Sequence, residues 1–233
     1  PNFVSMMLMQ VRFLETIEAL VESRYDHVRI DTLESMHRIL QNSGVALNSG
    51  WHVVLAILLN IGVSNEISLI PLGFKSVQAI TNEYLSALPF ECLPVTISTI
   101  GNFGGKSIAD ININIAAIGL LWNVADFIAR RQADILKELT AENAVLNSGS
   151  RPDSPPSGPD EAPFRHNDPQ FSAGSGGLYK GQATYVDSLW LALFQELAAR
   201  VDNLRAEIRD CALATLYGIL TTYGASLNLP AWQ

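Results

Sequence analysis

Residues 28–48, VRIDTLESMHRILQNSGVALN, align without a gap to residues 208–228, IRDCALATLYGILTTYGASLN. At this offset of 180, Arg29 meets Arg209, Leu33 meets Leu213, Ile39 and Leu40 meet Ile219 and Leu220, and Gly44 meets Gly224. Leu47 and Asn48 meet Leu227 and Asn228, and Trp51 finds Trp232 after a slip of one residue. Both copies place apolar residues at three- and four-residue steps ahead of a glycine, the pattern of an amphipathic helix with a stop signal. A helical pair that cannot bury its own face alone and stacks on copies of itself makes a solenoid. The apolar-Arg pair followed by helical spacing resembles the second helix of a HEAT-type repeat. The expected fold is therefore an all-α, HEAT/armadillo-like helical-repeat solenoid.

The same period extends outward. Val4, Leu8, Val11, Leu14, Ile17, Leu20 and Val21 form one predicted inward stripe, and Val28, Leu33, Met36, Ile39 and Leu40 form the next. Gly44 is expected to end that helix in the left-handed conformation. Asn48 or Ser49 is positioned to cap a third helix over 51–61. Further helices are expected at 67–87 and 89–102, with Pro71, Pro89 and Pro94 at early turns or kinks, then from a cap at Asp110 to about Leu139. The last two are expected at 184–201 and 203–223.

Between them the composition turns to Pro, Gly, Ser and Asp, too poor in apolar surface to offset the entropy of ordering. This divides the chain into helical repeats over 1–146, a flexible linker over 147–181 and a further, truncated repeat over 182–233. Because it starts at Pro1 and stops just past Trp232, the sequence reads as a piece of a longer polypeptide.

Composition narrows the function. The net charge is −8, the fifteen Lys and Arg are scattered, and only Arg130 and Arg131 are adjacent. That argues against nucleic acid and against direct electrostatic attachment to an anionic membrane. Ile111–Ile128 is apolar, yet Asn112, Asn114, Asn123 and Asp126 make it a poor membrane span. The structural expectation for these amides is that they tie neighbouring helices together, since buried amides need partners.

Catalytic and cofactor readings are weak. Cys92 and Cys211 are far apart in sequence, and His27, His37, His52 and His166 form no convergent cluster, so surface histidines and no metal or cofactor are expected. Glu15, Glu18 and Glu22 follow helical spacing and read as a solvated stripe. STIGNFGGKS, 98–107, ends like a phosphate-binding loop, but Ile100 stands where the first glycine belongs. A Gly-rich turn is the expectation there, and nucleotide binding through Lys106 the alternative.

DININIAAIGLLWNVADFIARR, 110–131, resembles the LNISL…LLWNVSDF signature downstream of the catalytic domain in large Arf guanine nucleotide exchange factors, and especially in their Mon-two (Ysl-two) relatives. Residues 33–58 and 187–232 are similar to further stretches of that family, so the resemblance covers most of the chain outside the linker. One departure is Asn82-Glu83-Tyr84-Leu85, where the family has Asp-Phe-Leu. The residues carried over as structural motif are Trp51, Asn112, Asn114, Trp122, Asn123, Asp126, Arg209 and Trp232.

The resemblance implies a non-catalytic scaffold segment, peripheral on the cytosolic face of the trans-Golgi network and endosomes, with indirect membrane association. It also implies a Dopey-family protein, an Arf-like small GTPase and an aminophospholipid flippase as partners. The alternative it leaves open is the regulatory region of an active Arf exchange factor.

Overall fold

The computed structural model describes residues 3–105, 110–148 and 177–227, and among these every regular element is helical. The α-helices are α1 (Phe3–Val21), α2 (Asp26–Ser43), α3 (Trp51–Val63), α4 (Ile70–Ala79), α5 (Leu93–Gly105), α6 (Ile111–Ser148), α7 (Gly177–Val201) and α8 (Ala206–Tyr223). Most pack on a chain neighbour and on the helix two places along. Thus α1 lies on α2 and α3, α2 on α4, α3 on α4 and α5, α5 on α6 and α7, and α6 on α7 and α8. This is the layered helix-on-helix architecture expected of a solenoid. Lys106–Ala109, linker residues 149–176 and Trp232 lie outside the described residues. Helix occupies both edges of the compositional linker, at 147–148 and 177–181.

The repeat read from sequence is a repeat of structure. Helix α8 begins and ends 180 residues after α2, and α7 ends 180 residues after α1. Short 3₁₀ turns follow both second helices, at Gly44–Ala46 and Gly224–Ser226. The turn bonds recur too: Ser23 N–H donates to Leu20 O and Asn203 N–H to Arg200 O, both at 3.1 Å. Leu47 N–H donates to Gly44 O at 3.1 Å and Leu227 N–H to Gly224 O at 3.3 Å.

Four local expectations change. Gly44 has φ −54°, a right-handed value, so it does not end α2 by left-handed freedom. Its need is space: a Cβ there would stand 2.7 Å from Cε1 of Tyr84, whose ring tilts against Trp51 with centroids 6.1 Å apart. Helix α3 is preceded by Gly50 without a side-chain cap, and the Ser49 hydroxyl is buried with no partner. The helix expected over 67–87 is α4 followed by a π-helical turn, Ile80–Tyr84, and a 3₁₀ turn, Leu85–Ala87. The one expected over 89–102 is a 3₁₀ turn, Phe90–Cys92, leading into α5. Pro71 sits in the first turn of α4, where its missing N–H costs no helical bond.

The core runs the length of the stack, from Leu14 and Leu33 through Trp51, Leu58, Phe103, Ile118 and Leu121 to Trp190 and Ile219. Among the described side chains of the predicted α1 stripe, Leu14 and Ile17 are buried, whereas Leu8 and Leu20 are exposed. Helix α6 over Ile111–Lys137 is long and apolar enough to cross a membrane by length and composition. Here its Ala117, Ile118, Leu121, Val124, Ala125 and Ile128 are buried in the helical stack.

Substituting Gly44→Val should drive Cγ atoms into the Tyr84 ring and destabilise the chain by about 1–3 kcal/mol. A urea midpoint unchanged from wild type would refute this account of the glycine.

Candidate interaction surface

The polar residues of α6 fall on different sides of the helix and do different work. Asp110 caps it as expected: its Oδ1 accepts from the Asn112 backbone N–H at 2.9 Å and from Asn112 Nδ2 at 3.0 Å. Asn112 is thus exposed and bonded locally. Asn114, one half-turn on, is fully buried. Its Nδ2 donates to the Phe103 carbonyl near the end of α5 at 2.7 Å, while its Oδ1 accepts from Arg205 Nη1 in the α7–α8 turn at 3.1 Å. One side chain therefore fastens three elements, as the satisfaction rule for buried amides requires.

Two turns further along, Trp122 fills the space left by Gly218 of α8, where a Cβ would stand 2.6 Å from Cζ3 of the indole. Its ring also tilts against Tyr223, centroids 6.3 Å apart. Asp126 Oδ1 accepts from the Tyr223 hydroxyl at 2.6 Å and from Arg130 Nε at 2.9 Å. That bond to Asp126 raises the Tyr223 pKa above its ordinary value, with burial adding to it. On the opposite flank Asn123 Nδ2 donates to Asn82 Oδ1, 3.1 Å away on the π-helical turn.

Asn123 and Asp126 line an open groove of about 450 Å³ between the π-helical turn and α6. Asn82, Glu83, Phe127, Arg130 and Arg131 complete its working wall. The only adjacent basic pair in the sequence thus rims a groove whose other polar groups are amides, carboxylates and hydroxyls. The guanidinium of Arg131 stands 6.0 Å from the centre of the Phe127 ring and 3.0 Å from Asp134. π-Helical turns replace the regular bonding of an α-helix and are common at functional sites. Here the turn presents Asn82 toward α6.

The other carried-over residues lie elsewhere. Trp51 is fully buried in the N-terminal half. Arg209 Nη1 donates to the carbonyls of Asn203 and Leu204, at 2.8 and 3.0 Å, and closes the α7–α8 turn. Its repeat partner Arg29 pairs instead with Asp26 and Glu66 beside Glu18 and Glu22. Sequence reasoning missed Asn82, Arg205 and Tyr223 as partners, since each meets its mate from a separate element.

The surface expectation fails at one histidine. His37 is buried, not on the surface: one ring nitrogen, Nδ1, is 3.2 Å from Ser76 Oγ on α4, and Nε2 is buried without a partner. Burial lowers its pKa, with the Lys75 charge adding to this and Glu83 opposing it. His52, Glu91 and Cys92 do come together, with Nε2 3.1 Å from Glu91 Oε1 and Nδ1 3.6 Å from Cys92 Sγ. Burial, aided by Glu91, pushes the Cys92 thiol up to about 11, which leaves it protonated at neutral pH and without the thiolate that nucleophilic chemistry needs. Among the described residues no group of three or more His, Cys, Asp or Glu is placed to hold a metal ion.

The Gly-rich stretch is helix through Gly105, so the expected turn is the end of α5. Its glycines admit α7. A Cβ on Gly101 would overlap the Glu196 carboxylate, and the buried Arg200 donates to the Gly101 carbonyl while pairing with Glu196 at 2.6 Å. Burial lowers the Arg200 pKa, and Glu196 counteracts it.

The fold and this surface define a helical-repeat segment with polar ties between its pairs. Residues 4–79 match the family described as Mon2/Sec7/BIG1-like, HDS, and residues 81–233 match the C-terminal region of Mon2 protein. The chain belongs to the Mon2 family. It is 28% identical over 227 residues to the protein MON2 homolog of Drosophila melanogaster, and 28% identical over 225 residues to that of Homo sapiens. In both cases the match covers 97% of this chain and 12% of the relative. The protein MON2 homolog of Schizosaccharomyces pombe is 23% identical over 208 residues, 86% of this chain and 11% of the relative. No solved structure matches the chain. The two family matches meet at the start of the π-helical turn that forms one wall of the groove.

Replacing Asn114 by Leu should strand the Phe103 carbonyl and remove the Arg205 bond to the amide oxygen, lowering stability by about 1–3 kcal/mol, whereas Asn112→Ala should change it by under about 1 kcal/mol. Equal effects in urea titrations would contradict the assignment. For His37 the folded pKa lies below the unfolded one, so its contribution is present above about 6.5 and is lost as the pH falls through the folded value. Urea midpoints at pH 7.5 and 5.5 should therefore differ less in His37→Gln than in wild type.

Proposed function

We propose that the chain is a non-catalytic scaffold segment whose groove between the π-helical turn and α6 receives a protein partner in Golgi and endosome trafficking. The observation that supports this most is the groove itself: amide, carboxylate and guanidinium groups on two elements face one open space beside Phe127. Such a mixed wall suits a polar peptide or a protein edge with an apolar anchor, since interfaces combine a small apolar centre with hydrogen-bonding rims. Direct chemistry has no comparable support among the described residues, where the Cys92-His52-Glu91 grouping holds a protonated thiol.

A Dopey-family protein, an Arf-like small GTPase or an aminophospholipid flippase would be the partner, with the parent protein held indirectly on the cytosolic face of the trans-Golgi network and endosomes. The chain spans 12% of the length of the Drosophila melanogaster and Homo sapiens relatives, so the remaining parts of the parent would contribute to recruitment. A second reading, the regulatory region of an active Arf exchange factor, draws on the HDS match over 4–79, a region shared with Sec7/BIG1-like proteins.

The immobilised chain, exposed to cytosol and solubilised Golgi membranes, should retain one of these partners. The double substitution Arg130→Glu, Arg131→Glu should reduce retention at least about tenfold, without altering the circular dichroism melt. Equal retention by wild type and variant would remove the groove as the interface.

A further inference from the structure

Helices α2 and α4 come from successive pairs and pack on one another, yet the seam between them is not filled completely. A pocket of about 230 Å³ opens there, lined on α2 by Glu34, His37 and Arg38 and on α4 by Leu72 and Lys75. Both walls are helices of this chain. The internal repeat does not by itself produce the site, because the counterparts of His37 and Arg38 on α8 are Tyr217 and Gly218.

His37 gives the pocket its chemistry. The side chain is 7% exposed, its Nδ1 is 3.2 Å from Ser76 Oγ, and its Nε2 is buried without a partner. Ser76 is fully buried as well, and among the described residues its hydroxyl has this ring as its hydrogen-bond partner. The rule that buried polar groups are satisfied then selects the tautomer. If Nδ1 donated, both the hydroxyl proton and the Nε2 lone pair would be buried and unpartnered. If the hydroxyl donates to Nδ1, only the Nε2 N–H is left over. The ring therefore carries a buried donor that lacks an acceptor, on a side chain that lines the pocket.

The groups around that donor are cations. Lys75 is exposed at the rim, and its charge lowers the His37 pKa, while Glu83 on the π-helical turn acts in the opposite sense. Arg38 on the facing wall meets Glu34 at 3.5 Å through one Nη, which leaves other N–H groups of its fork available. Because Glu34 is set against Arg38, the ammonium of Lys75 is the charge that remains to be balanced. An imidazole N–H, an ammonium and a guanidinium thus border one small space. A phosphate monoester group brings three strong acceptor oxygens and close to two negative charges, one oxygen for each donor. The volume lies below that of pockets that enclose drug-sized ligands, which suits the group itself and not a whole nucleotide.

We propose that the seam pocket between α2 and α4 binds a phosphate monoester group, held by the Nε2 N–H of His37 and the side chains of Lys75 and Arg38. Two carriers present this chemistry, a soluble ester and a lipid headgroup. The net charge of −8 favours the soluble one.

Histidine ring spectra of the full 233-residue chain, recorded by NMR from about pH 4 to 8 with and without inorganic phosphate at matched ionic strength, read the site directly. The variant His37→Gln assigns the resonance. Phosphate should raise the pH at which His37 titrates by about 1 or more, as an opposite charge in contact does, and leave His27 and His52 unmoved. Lys75→Gln changes an exposed position, so its circular dichroism melt should match wild type while its affinity for phosphate falls at least about tenfold. O-phosphoserine and phosphatidylcholine vesicles containing phosphatidic acid then separate the carriers: a His37 response to the first alone supports a soluble ester, and a response to the vesicles supports a headgroup. A His37 titration that inorganic phosphate leaves unchanged overturns the proposal. So does a shift of equal size at every histidine, or one that persists at the same phosphate concentration in Lys75→Gln, since either places the ion elsewhere.

Discussion

One buried amide sets the terms for the C-terminal half of the molecule. Helix α6 is covered by α5, α7 and α8, so any polar group on its covered faces must be satisfied from within the protein. Asn114 meets that demand with both ends of its side chain, donating to α5 and accepting from the α7–α8 turn. The rest of the face follows in register. Trp122 packs into the Gly218 notch, Asp126 takes the Tyr223 hydroxyl, and Asn123 reaches the π-helical turn. These ties fix the rotation of α6 about its axis and so determine which residues line the groove.

A similar economy of space acts where helices cross. Gly44 admits the Tyr84 ring, Gly101 admits Glu196 and Gly218 admits Trp122. In each case the glycine is needed for the atoms that approach it. Close approach then lets a neighbouring polar group bond backbone: Arg200 reaches the Gly101 carbonyl, and the Tyr84 hydroxyl lies 3.4 Å from the Gln41 carbonyl.

Much of the architecture was legible in sequence because it rests on local period. The stripe of α2, the repeat of that helix at α8 and the Asp110 cap each depend on residues within a few positions of one another. The family resemblance placed on Asn114, Trp122, Asn123 and Asp126 likewise falls on residues that the structure ties to neighbouring elements. What escaped depends on separate elements meeting. His37 reads as an exposed histidine until α4 brings Ser76 over it. Gly44 reads as a left-handed stop until Tyr84, forty residues on, takes the room beside it. The Gly-rich stretch reads as a turn until α5 is seen to continue through Gly105, with Gly101 leaving room for the Glu196–Arg200 pair. The π-helical turn has no periodic signature of its own, so half of the groove was invisible in advance.

Asn114 and Arg205 act as one unit, and a double-mutant cycle measures that coupling directly. Urea unfolding of wild type, Asn114→Ala, Arg205→Ala and the double variant should give an interaction energy of about 0.5–3 kcal/mol, because either single change already breaks the shared bond. Strictly additive losses, with a coupling of zero, would mean that the two side chains stabilise the fold independently and that Asn114 does not hold α6 in register.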